Sequence, residues 1–260
     1  MNKYQNRNVG ISICRLVMSF FVVCCHFSYF DMAAYAVPFF MFLSFFLATN
    51  IFFEDQYKKV MIKIHRLVIP FWGWGIVYYA FKTVILNEDI NRDELVWQLL
   101  LGHSVYINQA LWYLCDEILI ILLFAVVFFL IKKKEYRVLA LIALMIISLL
   151  FQYTELNYRI FDMMDYTRKY PLGRLAEMLP FACSGLLLGQ IDWKKVKYRY
   201  LFTVCLVLLL LAYGIRHTEI KGFGYSSIQT MIIAICVSLI AIYAPIKMSD
   251  GTLWEAQTAL

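Results

Sequence analysis

Apolar runs of about 18 to 22 residues recur along the chain, separated by short polar stretches, and a bilayer-spanning helix needs roughly 20. The pattern predicts eight spans, at roughly 11–30, 33–53, 67–86, 111–131, 137–153, 174–191, 200–214 and 226–246. The fold class is therefore all-α, a polytopic integral membrane helical bundle. One apolar segment, ELVWQLLLGHSVYIN at 94–108, is too short to cross. It is expected as an interfacial or re-entrant helix that packs against protein, since loop backbone facing lipid would be unsatisfied.

The polar stretches set the orientation. With the N-terminus inside, the inner segments carry fifteen Lys and Arg residues, including Lys58, Lys59, Lys63, Arg66, Lys132, Lys133, Lys134 and Arg137. The outer loops carry six, together with most of the acid, as in NEDINRDE at 87–94. This asymmetry puts both termini in the cytoplasm, and the tyrosine-, lysine- and isoleucine-rich composition makes a bacterial inner membrane the expected setting. The first apolar run has no small-residue cleavage site and is expected to stay in the membrane.

Composition agrees. The chain has 260 residues, 62% hydrophobic and 16% charged, against about half and a quarter in soluble domains. The net charge of +6 is scattered through loops rather than gathered on one face, so membrane lipids are expected as partners and nucleic acid is not. Seven cysteines lie in or beside apolar runs with no Cys-x-x-Cys pair, and read as small buried hydrophobes. His65 and His103 have no ligand partner at helical spacing, so no metal site is expected. Residues 1–247 read as one membrane-embedded domain. The last thirteen, MSDGTLWEAQTAL at 248–260, are abruptly polar and read as a disordered tail or the remnant of a truncation or frameshift.

Within the first run, ICRLVMSFFVVCCHF at 13–27, sit Arg15 and His26. Eleven residues make about three helical turns, so the two share a face about 16 Å apart along the axis. Charge in a membrane helix is costly and usually faces protein or a water-filled cavity. An arginine near the inner surface suits an anionic ligand, and a deeper imidazole suits proton transfer. Each also has an ordinary reading: Arg15 reaching lipid phosphates, and His26 as a hydrogen-bonded core histidine.

Further motifs follow in order. VPFFMFLSFFLA at 37–48 is an aromatic stretch with Ser44 in its middle, and KIHRLVIP places Lys63, Arg66 and Pro70. LWYLCDE places Trp112, Tyr113, Asp116 and Glu117, and RLAEMLPFACSGLLLG spans 174–189. Together with the arginine–histidine spacing, this series resembles the acyltransferase-3 family of integral membrane acyltransferases. The chain departs from it at Phe45, where the family has glycine, and at Lys63, where it usually has arginine. Family members commonly have about ten spans, and a missing pair would follow residue 247.

The resemblance implies transfer of an acyl group, by default acetyl, from cytoplasmic acetyl-CoA to a hydroxyl of an exported or lipid-linked surface polysaccharide. Arg15, Lys63 and Arg66 would form a cationic collar for the donor's phosphates. His26 would act as general base, or as a transient acyl carrier. Asp116 or Glu117 would orient the imidazole, and spacing from Trp112 favours Glu117. Arg174 and Glu177, three apart on a helix, are either a self-contained ion pair or part of the acceptor side with Trp112 and Tyr113. Ser44 stands at the family's serine position, or is simply a small helix-packing residue. The competing classes are a transporter or flippase for a glycan or small metabolite, and an inactive truncated acyltransferase.

Overall fold

The computed structural model of the chain describes residues 9–26, 33–101, 111–153, 166–216 and 228–243. The described residues are helical with no strand. The helices are α1 (Val9–His26), α2 (Ala33–Phe53), α3 (Tyr57–Ala80), α4 (Arg92–Leu101) and α5 (Trp112–Leu130). They continue as α6 (Lys134–Tyr153), α7 (Tyr166–Leu188), α8 (Tyr198–Arg216) and α9 (Ile228–Tyr243). A π-helical turn, Phe81–Ile85, extends α3. Three stretches are long and apolar enough to cross a membrane: Tyr35–Phe53, Tyr57–Ile85 and Trp112–Leu130. Shorter apolar helices occupy Val9–Cys24, Tyr198–Gly214 and Gln229–Tyr243. The polar tail at 248–260 lies outside the described residues.

Two helix starts differ from expectation: α7 begins at Tyr166 rather than at 174, and α3 begins earlier still. The third helix starts at Tyr57 rather than at 67, so Lys58, Lys59, Lys63 and Arg66 belong to the helix and not to a loop. Apolar residues alternate with these cations in KKVMIKIHRLVIP, and Lys and Arg are good helix formers whose long stems keep their charges in polar surroundings. What separates α2 from α3 is Asp55, whose φ of 54° is left-handed and ends the helix. Asp is one of the few residue types that tolerate it.

The chain forms two compact units. In the first, which includes α1, α8 and α9, α9 packs against both α1 and α8. Trp193, in a short turn before α8, meets Tyr243 with ring centroids 5.9 Å apart. The described cysteines, among them Cys205 of α8 and Cys236 of α9, are free thiols.

The second unit holds residues 41–191, and so most of α2 with α3 to α7. Its α2 is apolar all round, as a helix enclosed by others should be. Phe45 and Phe52 lie two turns apart on one face and meet Phe124 and Phe128, one turn apart on α5. The ring centroids of Phe45 and Phe124 are 5.4 Å apart in an edge-on contact. On the other side α7 comes very close. A Cβ at Gly185 would lie 2.5 Å from the carbonyl oxygen of Phe42, and one at Gly189 would collide with Thr49. Small residues four apart let two helix backbones approach in this way.

α4 packs as its sequence suggested. Trp72 of α3 donates its indole N–H to the carbonyl of Leu99 at 2.9 Å, and Gly75 leaves room for the Leu99 side chain. α6 joins α7 through the Ser148 hydroxyl, which donates to the carbonyl of Ala176.

At the Phe53 end of α2 sits Arg137 of α6, a large side chain with no exposed surface. Its Nε donates to the carbonyl of Ile131 at 2.7 Å, and Nη1 to those of Phe52 and Phe53, each at 3.4 Å. Nη2 donates to Phe128 at 3.0 Å and to Asp55 Oδ1 at 2.6 Å. One guanidinium thus satisfies carbonyls left without partners at the ends of α2 and α5. The Arg137 hydrogen bond holds the Asp55 carboxyl below its usual range.

Candidate functional site

Polar side chains inside so apolar a unit need partners, because burying an unpaired charge is expensive. Glu117 is nearly buried on α5, and its partners come from two other helices. Lys63 of α3 places its ammonium 3.2 Å from Glu117 Oε1. The Ser44 hydroxyl of α2 donates to the same carboxylate oxygen. Lys63 in turn donates to Ser44 Oγ and, at 3.3 Å, to the Ser44 carbonyl. Its ammonium also lies 5.4 Å from the centre of the Phe45 ring, over the residue that replaces glycine in the motif. The cluster sits within the helices. At about 1.5 Å of rise per residue, Ser44 lies ~13 Å from the Phe53 end of α2, Lys63 ~9 Å from the Tyr57 end of α3 and Glu117 ~8 Å from the Trp112 end of α5.

Within the cluster, exposure is uneven. The Glu117 side chain is 6% exposed and that of Lys63 is 21%. Ser44 is half-buried. A hydroxyl is thus hydrogen-bonded to a carboxylate, and a cation orients that carboxylate. A nucleophile, a base and an orienting group stand in this relation in covalent catalysis.

Asp116 turns elsewhere. Neighbouring residues on a helix point about 100° apart, so with Glu117 facing α2 and α3, Asp116 faces α7. It is 1% exposed, and Arg174 and Glu177 lie within its electrostatic reach. Its Oδ2 has no hydrogen-bond partner. The Arg174 guanidinium lies over the Trp112 ring at 4.2 Å, and Trp112 meets Tyr113 edge-on. The acids at 116 and 117 therefore serve two separate clusters.

The remaining candidates are not members of these clusters, or fall outside what is described. Arg66 is exposed on α3, one turn beyond Lys63. Arg15 is exposed on α1, in the first unit. His26 is the last residue of α1, and its side chain lies outside the described residues. Sequence reasoning gave Ser44 no firm role and read Arg137 only as an inner-loop charge. The serine's position in its aromatic motif was a usable signal, but nothing local marked Arg137.

A family model for an acyltransferase domain matches residues 8–255. The chain belongs to the acyltransferase-3 family. No curated protein and no solved structure matches it significantly. For an acyltransferase-3 protein, the Ser44–Lys63–Glu117 cluster is the part of the described interior that brings a nucleophile type, a base type and a cation into mutual contact.

Proposed function

We propose that this acyltransferase is a multi-pass membrane enzyme that moves an acetyl group from cytoplasmic acetyl-CoA to a hydroxyl of an exported or lipid-linked surface polysaccharide. The observation that carries the reading is the charged Ser44–Lys63–Glu117 cluster held inside apolar helices of a chain that belongs to an acyltransferase family. Ionisable groups at such depth are expensive and mark functional paths.

The chain crosses a bacterial inner membrane eight times with both termini inside. Arg15 and Arg66, both exposed, are suited to the donor's phosphates, Arg in particular through its planar fork. Lys63 turns to Glu117, so the two arginines carry most of that task. His26 is the general base that takes the acceptor hydroxyl's proton. Trp112, Tyr113, Arg174, Glu177 and Asp116 supply the mix of aromatic face and hydrogen-bonding groups that a sugar requires.

The test is the O-acetyl signal in the proton NMR spectrum of purified surface polysaccharide. A deletion strain complemented with the wild type is compared with one expressing His26→Ala at equal level. Acetylation with the wild type alone supports the reading. Equal acetylation in both removes His26 from the chemistry, and its absence in both rejects the polysaccharide acceptor.

A further inference from the structure

We infer that Ser44 is an acyl-carrying nucleophile, resting between the donor and acceptor half-reactions as an O-acetylserine. The inference rests on the acetyltransfer reading above. It adds a covalent station, at a residue to which that reading gives no chemical role.

Three observations converge on it. First, Ser44 Oγ already donates to Glu117, and Lys63 anchors that carboxylate 3.2 Å away. Nucleophile and base are thus in hydrogen-bond contact, with a third group orienting the base. Second, the Glu117 side chain is 6% exposed, while Ser44 as a residue is only partly buried. Third, Ser44 sits ~13 Å inside α2 from its Phe53 end. A donor confined to one side of the membrane and an acceptor reached from the other need a station at such a depth, and a carrier there lets each substrate enter and leave by its own route.

The chemistry balances in two halves. In the first, Ser44 Oγ attacks the thioester carbonyl, its proton passes to Glu117, and the new C–O bond replaces the C–S bond. The departing thiolate takes that proton from Glu117 and leaves as the free thiol. In the second, the sugar hydroxyl attacks the Ser44 ester. The sugar–acetyl bond forms as the Ser44 ester bond breaks, and the sugar hydroxyl's proton ends on Oγ through the general base of that half-reaction. Lys63 is a positioning residue throughout: it holds the Glu117 carboxylate and the serine rotamer, donating to both Oγ and the Ser44 carbonyl.

The experiment uses the purified full chain in proteoliposomes with acetyl-CoA alone and no acceptor. Wild type is expected to release about one thiol per chain in a burst and then stop, and peptide mass mapping finds one acetyl group on the α2 peptide at Ser44. Ser44→Ala shows neither. Ser44→Cys retains a burst, now leaving a thioester that neutral hydroxylamine cleaves. The wild-type mass measurement needs no variant to fold. A wild type that acetylates polysaccharide in cells yet carries no acetyl group on Ser44 and shows no burst overturns the relay while leaving the acetyltransfer reading intact. So does Ser44→Ala with full acetylation in cells. A wild type with neither polysaccharide acetylation nor a burst overturns both.

Discussion

Two cations grip α2 in the second unit, and they do so in opposite ways. Arg137 is fully enclosed at the Phe53 end, where its hydrogen bonds run to the carbonyls of Phe52, Phe53, Phe128 and Ile131 and to Asp55. Lys63 is partly exposed in the middle of the helix and shares one carboxylate oxygen of Glu117 with a serine hydroxyl. The first arrangement saturates its cation and leaves nothing for a ligand. The second binds its cation to a hydroxyl and a carboxylate that are themselves in contact. The difference lies in the partners: Arg137 is held mainly by backbone carbonyls, which cannot take part in proton transfer, whereas Lys63 is held by a carboxylate and a hydroxyl, which can.

Breaking each grip in turn tests the distinction. Arg137→Met should be the most damaging change, because it strands several buried carbonyls at once. A loss on the order of 3–5 kcal/mol is expected, read as a large drop in thermal unfolding temperature in detergent. Lys63→Met should follow, at about 2–3 kcal/mol, since it leaves Glu117 charged and unpaired in an apolar setting. That cost is moderated by the partial exposure of Lys63.

Gly185→Ala acts on the same helix from its other side. The added methyl would lie 2.5 Å from a backbone carbonyl of α2, which cannot rotate away, so α7 must move back. Overpacking of this kind costs about 1–3 kcal/mol. Gly189→Ala should act in the same direction, because its methyl would meet the hydroxyl and, at 2.8 Å, the Cβ of Thr49, which no side-chain rotation moves away.

Asp55→Asn should matter least, within about 1 kcal/mol, because the Asp55 side chain is 44% exposed and solvent screens its pairing. Its signature is a pH dependence. The carboxyl is held below its ordinary value of 3.8, so its contribution is present above that pH and fades as pH falls through the depressed folded value. The substitution should lower neutral stability by that small amount and flatten the acid edge of the stability–pH curve below about pH 4, where variant and wild type converge.

Much of this frame was legible beforehand. Long apolar runs announced the helices, and the short amphiphilic stretch at 94–108 announced α4 as a segment resting on protein. The start of α3 was misplaced because cations at Lys58, Lys59, Lys63 and Arg66 break the apolar run without breaking the helix. The site was legible in its parts and not in its pairing. Ser44, Lys63 and Glu117 stand on three helices, and no spacing along the chain says which faces meet. Spacing from Trp112 favoured Glu117 over Asp116 without deciding between them, since adjacent residues on a helix face different neighbours and both acids found one. Arg137 looked like any other basic residue beside a span until the carbonyls around it were in view.

The central claim is that the Lys63–Glu117 pair is retained for chemistry rather than for stability. Replacing a buried ion pair by apolar side chains of similar size is often neutral or stabilising, so the double variant Lys63→Met with Glu117→Leu separates the two roles. The decisive measurement is its polysaccharide acetylation in cells, taken beside its thermal unfolding temperature. A variant that unfolds within a few degrees of wild type and leaves the polysaccharide without acetyl groups is the predicted result. Wild-type acetylation by that folded double variant would contradict the account.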